Sequence, residues 1–140
     1  MSPFMQTKMR ILIVEDDAGI CDLLRNQLEA TGYETRIARD GSEALGRIFQ
    51  FRPHAMVLDI NMPGLDGFGV LQALSDQAIR LPVLVLTARH DASDVRRAIR
   101  LGARDYLTKP FTATQVKARI ARLMRPPISA STMNQSVYVE

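Results

Sequence analysis

Residues 55–67 read AMVLDINMPGLDG, in which an apolar run ends at an acid and is followed by a turn. The run 55–58 has no polar residue, which is typical of a parallel strand buried on both faces. Met62-Pro63-Gly64 has the composition of a turn, and Asp66 can cap a helix that begins after it. The stretch therefore predicts a strand, a turn and a helix, with Asp59 at the carboxyl end of the strand.

The same succession of a short strand and an amphipathic helix occurs five times along the chain. The other predicted strands are 11–14, 34–38, 83–86 and 105–107. Of these four, 34–38 has the weakest pattern. Apolar residues recur at helical spacing between the strands, and Leu23, Phe49 and Ile99 are among those expected to face the core. Such alternation predicts an α/β fold, with a doubly wound five-stranded parallel sheet and five helices.

The composition is that of one globular domain with a short extension at each end. The chain has 140 residues, of which 46% are apolar and 24% charged, so it can bury a core and is not disordered throughout. We predict an N-terminal extension at 1–8, the folded domain at 9–125, and a linker or flexible tail at 126–140. The last boundary rests on Pro126-Pro127, which cannot continue a helix.

The expected cellular compartment is inferred from cysteine content, apolar runs and the N-terminal residues. Cys21 is the single cysteine, which excludes an internal disulfide and any site built from several cysteines. No apolar run has the length of a membrane span, and the first residues do not form a secretory signal. We expect a cytoplasmic protein with no membrane partner.

The charge is unevenly distributed. The net charge is +3, but 89–125 alone contains ten Lys or Arg against three Asp. A solvated basic surface on two helices and a docking surface for a partner are both open interpretations. Direct binding of nucleic acid by this domain is not expected, because no recognition-helix motif accompanies the charge.

Polar residues follow directly after the predicted strands. Ligands of a doubly wound sheet bind beyond the carboxyl ends of its strands, and the residues found there are Glu15, Asp16, Asp17, Asp59, Thr87 and Lys109. Oxygen ligands without His or Cys favour Mg²⁺. A carboxylate can act as the nucleophile that forms an acyl phosphate, while a metal and a Lys neutralise the phosphoryl charge. The set therefore predicts phosphoryl transfer onto a carboxylate.

Five motifs resemble the receiver domain of bacterial two-component response regulators. They are VEDD at 14–17, LDINMPGLDG at 58–67, LTA at 86–88, GARDYLTKPF at 102–111 and ARIARL at 118–123. The resemblance covers residues 9–125 and implies a flavodoxin-like sheet with strand order 2-1-3-4-5. It also implies a phosphoryl donor, which is a histidine kinase or a phosphotransfer protein.

The resemblance implies a role for each strand-end residue. Asp59 is the phosphoacceptor, and Mg²⁺, for which Mn²⁺ can substitute, is held by Glu15, Asp16, Asp59 and the backbone carbonyl of Asn61. Lys109 pairs with Asp59 before transfer and with the phosphoryl group afterwards.

The resemblance also implies a switch. Thr87 moves to hydrogen-bond the phosphoryl group, and Tyr106 then turns inward. The bond between Lys109 and Pro110 is expected to be cis. Arg89 is expected to shield the acyl phosphate from water and slow its hydrolysis. His54 and His90 are expected in exposed loops, without an acid–base role.

The expected readout is the face formed by the fourth helix, the fifth strand and the fifth helix. It controls an output domain or a partner protein, with transcription as the expected process. Relatives with a winged-helix output domain dimerise there on phosphorylation, and Asp105 and Arg119 stand at matching places. Arg104, however, stands where those relatives have an acid, and Val95 and Gln115 stand where they have a Lys–Glu pair. Whether this chain forms the same dimer is therefore an open question.

Three rival functions remain. An Asp-nucleophile phosphatase would share the acids, the Mg²⁺ and the Lys, but the predicted connections are too short for a substrate-binding cap. A stand-alone receiver would signal by docking to another protein. A degenerate receiver without chemistry would have no need of Asp16, Asp59 and Lys109 together. We expect no enzyme activity beyond the domain's own phosphotransfer and dephosphorylation.

Overall fold

Five parallel strands form one sheet in the order β2-β1-β3-β4-β5, with every neighbouring pair parallel. A computed structural model describes residues 7–88 and 92–125. The strands are β1 (Arg10–Val14), β2 (Glu34–Ala38), β3 (Ala55–Asp59), β4 (Val83–Thr87) and β5 (Asp105–Thr108). This order and the predicted fold class are confirmed. Arg89, His90 and the predicted tail at 126–140 lie outside the described residues.

Five helices connect the strands or follow the last of them. They are α1 (Ala18–Ala30), α2 (Gly41–Phe51), α3 (Gly67–Asp76), α4 (Ala92–Arg100) and α5 (Ala113–Leu123). The Asp17, Asp40 and Asp66 side chains each accept a backbone N–H of the first turn of a helix, at 2.8–3.0 Å. Thr112 and Gln115 form a reciprocal capping box at the start of α5. In the described part of the chain, no helix combines the length and the apolar character needed to span a bilayer.

The core has two layers, one on each face of the sheet. Leu12 and Val14 of β1 point to the layer covered by α2, α3 and α4, whereas Ile11 and Ile13 point to the layer covered by α1 and α5. Successive strand residues face opposite sides of a sheet, so a strand covered on both sides must be apolar throughout. Burial on both faces therefore explains the uninterrupted apolar runs of the sequence.

Three helix residues predicted to face the core are exposed instead. Leu23 is 42% exposed, Phe49 61% and Ile99 45%. Helical spacing indicates which side of a helix is apolar, but the width of the covered stripe depends on the neighbouring elements. The expected exposure of His54 is also wrong, because its Nδ1 accepts the Arg10 N–H at 2.9 Å and the side chain is half-buried.

Two backbone features position the loops that end at the site. The Lys109–Pro110 peptide is cis, as expected. At Gly67, the first residue of α3, an added Cβ would lie 2.7 Å from the Cα of Ile60 and 2.8 Å from the carbonyl oxygen of Asp59. Only glycine therefore allows α3 to begin so close to the end of β3.

Candidate functional site

The carboxyl ends of β1 and β3 bring the predicted acids together. The two strands are neighbours in register, with Val14 opposite Leu58, so Glu15 and Asp59 follow side by side. One carboxylate oxygen from each of Glu15, Asp16 and Asp59 lies within 4.8 Å of the others. Glu15 and Asp59 are buried, whereas Asp16 is exposed at the opening. The three residues form an acidic pocket at the edge of the sheet.

Lys109 supplies the positive charge of the acidic pocket. Its Nζ lies 3.4 Å from Asp59 Oδ2 and 3.3 Å from Glu15 Oε1. The Lys109 backbone N–H donates to the carbonyl oxygen of Thr87 at 2.7 Å, which ties the segment after β5 to the end of β4. The sequence predicted the approach to Asp59 but not the second contact with Glu15.

The electrostatics of the pocket follow from two carboxylates that share a buried space. The pKa of Glu15 is raised to about 8, mainly by burial and further by the hydrogen bond and the negative charge of Asp59, while Lys109 opposes the rise. For Lys109 itself, burial lowers the pKa, but the carboxylates of Asp59 and Glu15 outweigh this and raise it. The ammonium therefore stays charged, and one positive group faces three acids.

The donor set fits a hard divalent cation. Glu15 Oε2 is buried and accepts no hydrogen bond from any residue in 7–88 or 92–125, and a buried oxygen without a partner is costly. The donors are carboxylate oxygens, which Mg²⁺ prefers, and the exposed Asp16 leaves the pocket open on one side. A bound cation would satisfy the unpaired oxygen and relieve the repulsion between the acids.

Both oxygens of Asp59 have partners. The Asn61 backbone N–H donates to Oδ1 at 3.1 Å, and Lys109 lies beside Oδ2. Thr87 is buried at the end of β4, next to β3, and so borders the pocket. Tyr106 of β5 is 40% exposed and therefore directed outward. The structure thus groups the strand-end residues and leaves Tyr106 on the surface.

Two supporting contacts around the acids were not predicted. The Arg39 Nη2 donates to the carbonyl oxygen of Asp16 at 2.7 Å, and the Cys21 Sγ lies 3.2 Å from the carbonyl oxygen of Glu15. Arg39 directly follows β2, so the rule that polar residues gather at strand ends could have drawn attention to it. Asp17 accepts the Ile20 N–H at 3.0 Å and so caps α1.

A second charged cluster joins β5 to α5. Asp105 Oδ1 lies 2.7 Å from Arg119 Nη1, and Asp105 Oδ2 lies 2.6 Å from Arg122 Nη2. Burial acts to raise the pKa of Asp105, but Arg122, the Tyr106 N–H and Arg119 together lower it. Arg122 was not predicted to take part, although its spacing of three residues from Arg119 places both on one side of the helix.

Comparison with known proteins agrees with this geometry. A family model described as the response regulator receiver domain matches residues 11–121. The chain is 45% identical over 117 residues to the response regulator MprA of Mycobacterium avium (strain 104), which covers 84% of this chain and 51% of that protein. The MprA protein of Mycobacterium leprae (strain TN) matches with the same identity and coverage. The chain spans about half the length of these curated relatives.

Solved structures share the fold. The receiver domain of the Francisella response regulator 1452 superposes with a TM-score of 0.80 at 33% identity, covering 84% of this chain and 97% of that one. The chemotaxis protein CheY4 of Vibrio cholerae superposes with a TM-score of 0.79 at 28% identity, covering 84% of this chain and 99% of that one.

Proposed function

Since the chain belongs to the family of response regulator receiver domains, we propose that it accepts a phosphoryl group on Asp59 from a phosphohistidine of a kinase or phosphotransfer protein. The observation that carries the proposal is the contact of Lys109 with Asp59 inside a pocket of oxygen donors. A carboxylate in this setting can act as a nucleophile toward phosphorus. The donor and the acceptor would meet in the cytoplasm.

The acidic pocket would hold Mg²⁺ through Glu15, Asp16, Asp59 and the carbonyl of Asn61. When bound, the ion supplies neutralisation of charge on the phosphoryl oxygens, and Mn²⁺ can substitute for it. The unpaired Oε2 of Glu15 supports this assignment. The Arg39 side chain donates a 2.7 Å hydrogen bond to the Asp16 carbonyl oxygen. This bond would fix the backbone of Asp16 while its exposed carboxylate binds the ion.

In the transfer step, a carboxylate oxygen of Asp59 forms a bond to phosphorus. The bond between phosphorus and the imidazole nitrogen of the donor breaks, and the electron pair stays on that nitrogen. Asn61 holds Oδ1 by a backbone hydrogen bond and Lys109 neutralises Oδ2, so the carboxylate is oriented before the donor arrives. Afterwards Lys109 pairs with a phosphoryl oxygen, and the Thr87 hydroxyl donates to another.

The readout surface is the output face, by which we mean the exposed residues of α4, β5 and α5. The phosphoryl group adds about two negative charges at the acidic pocket. Lys109 follows β5 directly, and the Lys109 N–H bond to Thr87 links that strand to β4. Tyr106 lies three residues before Lys109 and starts from an exposed position. Movement of Thr87 toward the phosphoryl group would let Tyr106 turn inward and change the output face.

The regulated output is a further part of the proposal. Since the MprA relatives are response regulators, we propose that the receiver controls an output domain or a separate partner, with transcription as the regulated process. Its own phosphotransfer and dephosphorylation are the only reactions assigned to it. A phosphatase acting on other substrates has less support, since the loops after β1, β3 and β5 are three, seven and four residues long and form no cap.

Intact-mass measurement after treatment with acetyl phosphate and Mg²⁺ tests the proposal. The wild type should gain one phosphoryl group, and Asp59→Asn should gain none. Asp66→Asn is the matched control, because it removes an acid outside the pocket while Asn still caps α3. Gain of the group by Asp59→Asn, or by the wild type in excess EDTA, would overturn the proposal.

A further inference from the structure

A groove lies at the end of the sheet opposite the acidic pocket. It has a volume of about 280 Å³ and runs between the end of α2 and the segment that leads into β4. Its apolar lining consists of Ile48, Phe49, Pro53, Ile79 and Leu81. Pro53 lies just before β3, whose other end is Asp59, so the length of that strand separates the groove from the phosphoacceptor. Phosphoryl transfer makes no use of this groove.

Two arginines complete the lining of the groove. They are Arg52 and Arg80, and both are exposed. Neither pairs with a carboxylate of any residue in 7–88 or 92–125. Among the residues that the structure describes, no Asp or Glu lines the groove. Two guanidinium groups beside apolar surface are complementary to an anion with an apolar body.

Arg52 occupies a backbone conformation that favours glycine. It is the C-cap of α2, with a φ of 52° and a ψ of 63°, in the left-handed region where a Cβ is unfavourable. The Arg10 Nε donates to the carbonyl oxygen of Arg52 at 2.9 Å, so this contact uses only the backbone of residue 52. An arginine at a position that suits glycine better supports a role for its side chain in binding.

Phe49 gives the groove an aromatic wall. Its side chain is 61% exposed, the largest fraction among the exposed large apolar side chains of the described residues, whereas the neighbouring Ile48 is buried in the core. An aromatic ring of a ligand would pack against Phe49 and cover it. The volume of the groove is just below the range of about 300–1,000 Å³ that is usual for drug-sized ligands, so the ligand would be small.

We infer that this groove binds a small aromatic monocarboxylate, whose ring lies against Phe49 and whose carboxylate pairs with Arg52 and Arg80. One negative charge fits better than two, because the negative end of the α2 dipole also lies at the groove. A second copy of this chain fits poorly, because a two-fold interface would bring the arginines of both copies together. The inference does not rest on the proposed function, since it involves no residue of the acidic pocket.

Naphthoate is a direct probe of the groove. Titrated into the whole chain, it should shift the NMR amide signals of residues 48–52 and 79–81, with a Kd of about 0.1 mM for a ligand of so few atoms. Its binding should weaken as salt is added, because the contact with the arginines is electrostatic. Naphthamide, which has nearly the same shape without the charge, should bind about tenfold more weakly.

Variants of the lining test which side chains bind the probe. Arg52→Gly/Arg80→Gln should weaken the binding of naphthoate about tenfold or more, since both cations are lost, and glycine suits the left-handed conformation at position 52. Phe49→Ala should weaken it about fivefold through loss of the ring contact, without opening the core. Arg25→Gln/Arg47→Gln is the matched control, because it removes two positive charges from α1 and α2 outside the groove.

The control variant should bind naphthoate with the affinity of the wild type. Equal weakening by both double variants, equal binding of naphthamide and naphthoate, or shifts centred on Lys109 would each overturn the inference. Shifts of the same signals with protein concentration in the ligand-free chain would show a second copy in the groove and would also overturn it. If the variant Arg52→Gly/Arg80→Gln does not fold, Arg80→Gln alone provides the test, because Arg80 is exposed and pairs with no carboxylate in the described part of the chain.

Discussion

At the scale of single residues, Lys109 has two tasks that a lysine in an ordinary surface pair would not have. It neutralises Asp59 and also favours the charged form of Glu15, and both acids are buried. Removing the partner of a buried charge is more costly than the pair is favourable, because the remaining charge cannot recover its hydration. We therefore expect the domain to depend on Lys109 for stability as well as for the proposed chemistry.

Lys109→Met should lower the free energy of unfolding by roughly 2 kcal/mol at pH 7 without divalent cation, since the buried Asp59 carboxylate loses its ammonium. Glu15, whose pKa is raised to about 8, is largely protonated at this pH. Urea denaturation in EDTA measures this loss. Asp59→Asn should act in the opposite direction and raise stability by about 1 kcal/mol, because the negative charge of Asp59 helps to raise the pKa of Glu15 and its removal lowers the cost of burying Glu15. Lys117→Met is the control, as Lys117 Nζ lies 3.4 Å from the Gln27 amide oxygen and pairs with no carboxylate of residues 7–88 or 92–125. An equal loss in both lysine variants would contradict the role of Lys109.

At the scale of elements, the sequence predicted strands better than helix faces. A strand covered on both sides has to be apolar, so the central strands β1, β3 and β4 could be located from their apolar runs. The edge strands β2 and β5 have mixed sequences, ETRIA and DYLT, and were located from the alternation of strands and helices. The width of the buried face of a helix depends on how far the neighbouring elements cover it. For this reason Leu23, Phe49 and Ile99 were predicted to face the core but are exposed.

The same difference applies to the site. The positions of the strand ends determine which residues lie together at the acidic pocket. That set of residues was predicted from the order of the apolar runs in the sequence. The contacts of Lys109 with Glu15, of Arg39 with Asp16 and of Arg122 with Asp105 depend on long side chains that cross between elements. Sequence spacing constrains where their Cα atoms lie but not which carboxylate or carbonyl their end groups reach.

The Asp105 cluster fixes α5 to the edge strand, and its stabilising effect should depend on pH. The pKa of Asp105 is lowered in the folded state, so its contribution is present above the usual aspartate pKa of about 4 and is lost as pH falls through the lowered value. Asp105→Asn should cost about 1 kcal/mol at pH 7, less than a fully buried pair because Arg122 is largely exposed.

Urea denaturation of Asp105→Asn and the wild type across pH 2 to 7, roughly the range in which aspartate titrates, measures this dependence. The two proteins should converge at the acid end. Asp22→Asn removes an exposed pair with Arg25 and should change stability by less than about 0.5 kcal/mol. A difference between Asp105→Asn and the wild type that is constant over this range would contradict the role assigned to the charge of Asp105.

At the scale of the whole molecule, a modest net charge of +3 hides two regions of opposite sign. The carboxyl ends of β1 and β3 form the acidic pocket, and the output face is basic. β5 joins them, because Asp105 binds α5, Tyr106 lies on the output face, and Lys109 follows the strand into the acidic pocket. Under the proposed function, a change in the charge of the pocket would act on a segment that also forms part of the output face.

Binding of Mg²⁺ to the acidic pocket should stabilise the whole domain, because an ion that binds only the folded state shifts the unfolding equilibrium. At about ten times its Kd, the ion adds roughly 1.4 kcal/mol, which corresponds to a rise in Tm of about 5 °C for a domain of this size. Thermal denaturation with MgCl₂, against KCl at equal ionic strength, measures the effect. Asp16→Asn should remove most of it, since Asp16 is the exposed member of the proposed ligand set and its replacement leaves the core untouched.

The neighbouring residue provides the sharpest control for this prediction. Asp17 differs from Asp16 by one position but accepts the Ile20 N–H as the cap of α1, a role that Asn fills equally well. Asp17→Asn should therefore keep the full Mg²⁺ effect, although both variants remove one negative charge from the same loop. If the two variants lost the effect equally, the ion would be responding to the general charge of the loop, and the assignment of Asp16 as a ligand would be wrong.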